Sequence, residues 1–221
     1  MKKVLGICVL ALVTLLGVVS NASTIAYADQ PPSAGFGFGG NLALNFNVLS
    51  PITVTELGVY NAAGDGVITG TINVVIYNTT SLTQVTPVVT FNGTYTPAGL
   101  GFDVFQSITP VTLGAGSYQV VAVGFSATDF FGNLNYGSIG PVLNNGGGLL
   151  AFNGAGWDYN TLLDSPTGCG SCVAMPGQSS QFDAGTFQFT PANPVPEPGT
   201  LGLLGTSVIA AATMLRRKFG R

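Results

Sequence analysis

From residue 42 onward the chain alternates apolar and polar positions in short runs, separated by Gly, Pro, Asn and Asp. Period-two alternation over strand-length stretches puts every second side chain on one face of a sheet. It predicts strands at 42–48, 52–60, 67–77, 85–91, 102–108, 117–125, 148–152 and 182–189. Between residues 30 and 190 no stretch repeats apolar residues at three- and four-residue spacing between capping residues, so no helix is predicted there. Short strands in close succession with turn signals between them indicate an all-β sandwich or barrel, and a jelly-roll-like β-sandwich is the expected architecture. Gly64-Asp65-Gly66 and Gly114-Ala115-Gly116 are expected to supply the positive φ that tight turns require. The Gly- and Asn-rich stretch from 130 to 180 is expected to hold long loops. No period of the length used by solenoids or propellers is present.

Both ends depart from this pattern. Residues 4–19 form an apolar run, preceded by Lys2 and Lys3 and followed by Ala26-Tyr27-Ala28. That order predicts a secretory signal peptide over 1–28, cut by signal peptidase after the small residues Ala26 and Ala28, before Asp29. Cys8 would be discarded with it, because Ile7 is bulky where a lipoprotein site needs a small residue. At the other end, residues 198–215 carry no charge and as a helix would span about 27 Å, just enough to cross a bilayer core. Arg216, Arg217 and Lys218 follow at once and hold that end on the cytoplasmic side. A single transmembrane helix is therefore expected over 199–215, with a basic tail at 216–221 and a secreted β domain at 29–192 between the two ends.

Charge narrows the function classes. No Lys, Arg or His occurs between Val4 and Leu215, while the carboxylates are scattered singly. A body without cations cannot neutralise phosphates, which excludes nucleic-acid binding. The absence of His removes the commonest general base and every Ser-His or Cys-His nucleophile pair. No enzyme activity, cofactor or metal is expected. Without cations the body has no salt bridges, so its stability rests on apolar burial and backbone pairing.

Some local constellations carry chemistry. Cys169 and Cys172, in Cys-Gly-Ser-Cys, could form a redox motif, half of a zinc site or a small disulfide. In a secreted chain with no further ligands a loop-stapling disulfide is expected. Trp157-Asp158-Tyr159-Asn160 has the ingredients of a sugar platform: aromatic faces to stack on a pyranose and amides to orient hydroxyls. The alternative is that Trp157 fills a core gap. Asp65 reads as a turn residue rather than a Ca²⁺ ligand, having no carboxylate nearby in sequence. Glu56 with Asp103, or Asp158 with Asp164, could be imagined as glycosidase pairs, but sequence spacing does not set their separation.

The sequence Val195-Pro196-Glu197-Pro198-Gly199-Thr200, the apolar segment after it and the terminal Arg-Arg-Lys resemble the PEP-CTERM sorting signal of Gram-negative bacteria. Such tails also bear the name of an ice-binding protein C-terminal domain. The resemblance covers 193–221, with the motif at 195–200. It implies recognition of Pro196-Glu197-Pro198 by an exosortase, removal of the tail, and transfer from the membrane to the outer envelope or exopolysaccharide matrix. This chain would be the substrate of that processing. The stretches "SPITVTELGVYNAAGDGV", "VVIYN" and "ITPVTLGAGSYQVVAVGF" resemble secreted β-sandwich modules that precede such tails. Ice binding itself is not expected of the body, because Thr53-Val54-Thr55 is an isolated Thr-x-Thr rather than a row. These readings combine into a secreted, non-catalytic protein of structural or adhesive role. The alternatives are a carbohydrate-binding module using Trp157 and Tyr159 on extracellular polysaccharide, or a polysaccharide hydrolase.

Overall fold

The computed structural model describes residues 22–32, 35–166 and 173–192. Residues 1–21 of the expected leader, Cys169 and Cys172, and the whole motif and tail lie outside them. The described chain begins with β1 (Thr24–Ile25), β2 (Tyr27–Ala28), β3 (Gly35–Phe36), β4 (Asn41–Val48), β5 (Ile52–Tyr60) and β6 (Val67–Asn78). Next come β7 (Thr83–Gln84), β8 (Val89–Thr94), β9 (Pro97–Ala98), β10 (Asp103–Leu113), β11 (Gly116–Val123) and β12 (Phe131–Asn133). A 3₁₀ turn at Leu134–Tyr136 precedes β13 (Val142–Leu143), β14 (Leu150–Trp157), β15 (Val173–Pro176), β16 (Phe182–Asp183) and β17 (Gly185–Pro191). Among the described residues no α-helix occurs, and no helix is long and apolar enough to cross a membrane.

The strands form two large antiparallel sheets and two small ones. One runs β1-β17-β5-β10-β9 and the other β15-β14-β4-β11-β6-β7, with β8 also on β6. Beside them lie β16-β12-β3 and the pair β13-β2. Inward residues of both large sheets share one core: Leu44 and Phe46 of β4 and Val120 of β11 meet Val54, Leu57 and Val59 of β5 and Phe187 and Phe189 of β17. This two-layer packing is consistent with a β-sandwich.

The boundaries depart from the sequence expectation in several places: 85–91 is replaced by β8 from Val89, 182–189 divides between β16 and β17 in different sheets, and bulges lengthen two other strands. β10 continues to Leu113 instead of stopping at 108, since its register on β5 shifts between Ser107 and Val111. Pro110 lies inside that shift, where its missing N–H breaks no ladder bond. β14 likewise continues beyond 152, with a shift against β4 between Phe152 and Gly154. The opening strands β1 and β2 occupy residues assigned to the leader.

Candidate functional site

The bulge in β14 decides where its aromatic end points. Alternation alone would send Ala155 and Trp157 to the face opposite Leu150 and Phe152; one extra residue at 153–154 restores them to the same side. Leu150, Phe152, Ala155 and Trp157 accordingly all pack on the main core. Gly154 makes the bulge feasible, having φ of 140° and a position where a Cβ would stand 2.6 Å from the Met175 carbonyl oxygen. Gly154→Ala is expected to destabilise the domain by about 1–3 kcal/mol, read as a lower urea midpoint, since both backbone strain and the clash must be absorbed.

Trp157 closes one wall of a cleft of about 390 Å³. Its lining comes from four places in the chain: Phe36 and Phe38; Phe131, Asn133, Asn135 and Tyr136; Trp157 and Tyr159; and Met175, Gln181 and Phe182. Gly37 lets the first strip lie flat, for a Cβ there would come within 2.6 Å of the Ser126 carbonyl carbon. One set of touching rings includes Phe38, Phe131, Trp157, Tyr159 and Phe182, and Phe36 pairs with Tyr136 beside it. Trp157 and Tyr159 meet edge to face at 5.0 Å, Phe38 stands 5.9 Å from Trp157 and 5.8 Å from Tyr159, and Phe36 lies 4.5 Å from Tyr136. Trp157 is half-buried, whereas Tyr159 is 71 % and Tyr136 61 % exposed. Amides also line the cleft: Gln181 Nε2 donates to Asn133 Oδ1 at 2.5 Å, and that oxygen also accepts from the Asn135 N–H at 3.0 Å. No carboxylate lines the cleft among the described residues.

The two imagined carboxylate pairs fare differently. Asp103 is opposite Tyr60 while Glu56 is opposite Ser107, four residues farther along β5, a separation of roughly 13 Å along a strand. Asp158 and Asp164 are brought together, but around an amide: Asn41 Nδ2 lies 3.1 Å from one Oδ1 of each, 3.0 Å from the Asn160 carbonyl and 2.9 Å from the Leu162 carbonyl. Asn41 and Asp158 are fully buried, so this cluster fastens the 158–164 loop to the start of β4. Asp65 is exposed, and its Oδ1 accepts from the Val67 N–H at 2.9 Å, a turn contact.

A carboxyl cluster absent from the sequence expectation sits within the fold. Asp29, Asp103 and Asp183 are each fully buried. The Asp29 N–H donates to Asp103 Oδ2 at 3.1 Å, and the Ser138 hydroxyl donates to Asp183 Oδ2. Both Asp29 oxygens, Asp103 Oδ1 and Asp183 Oδ1 find no hydrogen-bond donor. Burial pushes the Asp29 carboxyl well up, and the neighbouring Asp103 and Asp183 push it further. Burial likewise raises Asp103 to about 7. It raises Asp183 too, against the Ser138 hydroxyl and the Gln30 and Gly140 N–H groups. Carboxyls without a counter-cation keep protons instead of charge. Among the described residues no group of three or more Asp, Glu, Cys or His is arranged to hold a metal ion. Nothing in the sequence signalled this cluster, because its members are far apart along the chain.

Comparison with known proteins bears on the tail. Residues 194–218 match the family model described as the PEP-CTERM protein-sorting motif. No curated protein matches the chain. Among solved structures, a chain of the T=1 particles derived from infectious bursal virus is similar over 90 % of this chain and 48 % of its own, at 12 % identity and a TM-score of 0.27. The present chain thus spans about half the length of that one, and so low a score carries no weight for fold or function. The C-terminal segment carries a PEP-CTERM protein-sorting motif, and that motif supports an exosortase-sorted, extracellular destination for the protein.

Proposed function

We propose that the protein is an adhesive component of the outer envelope or exopolysaccharide matrix, holding neutral polysaccharide in its aromatic cleft without cleaving it. In this reading the precursor stays in the inner membrane by its tail until an exosortase removes it. The observation that carries the ligand class is the set of rings gathered from separate parts of the chain, with Tyr136 and Tyr159 largely exposed and amides in the same lining. Such rings offer apolar faces to the C–H side of a sugar, and the exposed Asn135 amide offers groups to its hydroxyls. The absence of any Lys, Arg or His between Val4 and Leu215 favours a neutral glycan over an acidic one. A lining without carboxylates supports binding rather than hydrolysis, which needs a positioned acid and base.

Titration of the purified protein with neutral and acidic polysaccharides tests this. Saturable binding of a neutral glycan is expected, and Tyr159→Ala should weaken it about tenfold, equivalent to about 1.4 kcal/mol. Tyr159 is exposed, so the variant should keep its thermal midpoint. Absence of neutral-glycan binding, or binding indifferent to Tyr159→Ala, would sink the proposal.

A further inference from the structure

We infer that signal peptidase cuts this chain after Ala22, not after Ala28, so that the exported protein begins at Ser23. Residues 24–28, just before Asp29, are structural members of the β domain, whose compact unit starts at Ala22. β1 pairs with β17, Thr24 opposite Phe189 and Ile25 opposite Gln188; β2 pairs with β13, Tyr27 opposite Leu143 and Ala28 opposite Val142. Between them the Ala26 N–H donates to the Phe187 carbonyl at 3.0 Å, and the Ala26 carbonyl accepts from the Asn144 N–H at 3.0 Å.

Tyr27 is bound more firmly still. It is fully buried, with its ring 4.9 Å from Phe152 and 6.2 Å from Phe187. Its N–H donates to Thr186 Oγ1 at 3.3 Å, the Thr186 hydroxyl donates back to its carbonyl at 2.6 Å, and its own hydroxyl donates to the Asn45 carbonyl at 3.3 Å. A cut before Asp29 would remove this ring, leave a cavity beside Phe152 and Phe187, and orphan the Thr186 hydroxyl in the interior. It would also place a new α-ammonium at the Asp29 nitrogen, 3.1 Å from Asp103 Oδ2. That charge would help the carboxyl cluster but would not refill the core.

The sequence supplies an earlier small-x-small tripeptide, Ser20-Asn21-Ala22, directly after the apolar run of the leader. Cutting there leaves β1 and β2 whole. Ala26-Tyr27-Ala28 also satisfies the small-residue pattern, but in the fold Ala26 links β1 to β2 and Tyr27 opens β2 as a core residue.

The inference rests on the reading that the chain is exported. The full chain, produced in a Gram-negative host and recovered from the envelope fraction, is digested and its N-terminal peptide identified by mass spectrometry. A peptide beginning at Ser23 is expected. One beginning at Asp29, or at any other residue, overturns the inference while leaving export intact; a chain confined uncut to the cytoplasm overturns export and the inference with it. Pulse-labelled Ala22→Leu and Ala28→Leu provide a second readout, because the peptidase acts before folding. Ala22→Leu should lose the Ser23 product and Ala28→Leu should process like the parent; the reverse pattern overturns the inference.

Discussion

The thermal midpoint of this protein should fall as the pH is raised from about 4.5 to about 7.5. The cause is the buried trio Asp29, Asp103 and Asp183. Asp103 releases its proton in the native state only near pH 7, against 3.8 for the free side chain, and Asp29 and Asp183 are shifted in the same direction. Between those limits the native protein holds protons that the unfolded chain has released. The unfolded state then binds fewer protons, so stability declines with rising pH, by about 1.4 kcal/mol per unit for each proton retained. Asp129 works oppositely: although burial opposes it, donors from Thr69, Gly70 and Thr128 hold its carboxyl below the ordinary value. Its contribution is lost only as the pH falls through and below 3.8, outside the range in question. Asp103→Asn keeps an oxygen for the Asp29 N–H and removes one of the three acids. The variant should be more stable than the parent at about pH 7.5 and show a shallower slope. A midpoint that is flat or rises over this range, or an Asp103→Asn variant with the parental slope, would refute the account.

That trio also marks the limit of what the sequence could disclose. The long strands are legible because half-buried strands alternate, and the expected strand 52–60 coincides with β5. The ends of β10 and β14 are not, since a bulge shifts the alternation by one and reads locally as its end. β1 and β2 were hidden by a coincidence of pattern: small residues around Tyr27 fit a leader end and a tightly packed strand equally well. In the cleft, Trp157 and Tyr159 were visible as a pair because they are neighbours in the chain. Phe36, Tyr136 and Gln181 reach the same place only through the three-stranded sheet β16-β12-β3 and the turn after β12, which no local signal announces. The carboxyls brought together by folding looked like isolated surface charges.

Phe187→Ala should be the most damaging single truncation among those considered, at about 3–5 kcal/mol. β17 lies between β1 and β5, and Phe187 points from it into the interlayer space, fully buried. Its ring is 4.8 Å from Phe46 on the opposing sheet, 5.8 Å from Phe189 and 6.2 Å from Tyr27. Removing it opens a cavity where both large sheets and the N-terminal strand β2 share contacts, and Gly185, close by on the same strand, offers no side chain to fill it. The body has no Lys, Arg or His with which to form ion pairs, so apolar burial holds an unusually large share of its stability. Against a total of roughly 5–15 kcal/mol for a domain, the loss is enough to leave a substantial unfolded population. Urea titration should show a much lower midpoint with an unchanged slope, while Phe187→Leu, which keeps most of the apolar volume, should fall between the parent and Phe187→Ala. Were Phe187→Ala no less stable than Tyr159→Ala, whose side chain is exposed, the two sheets could not be sharing the core in this way.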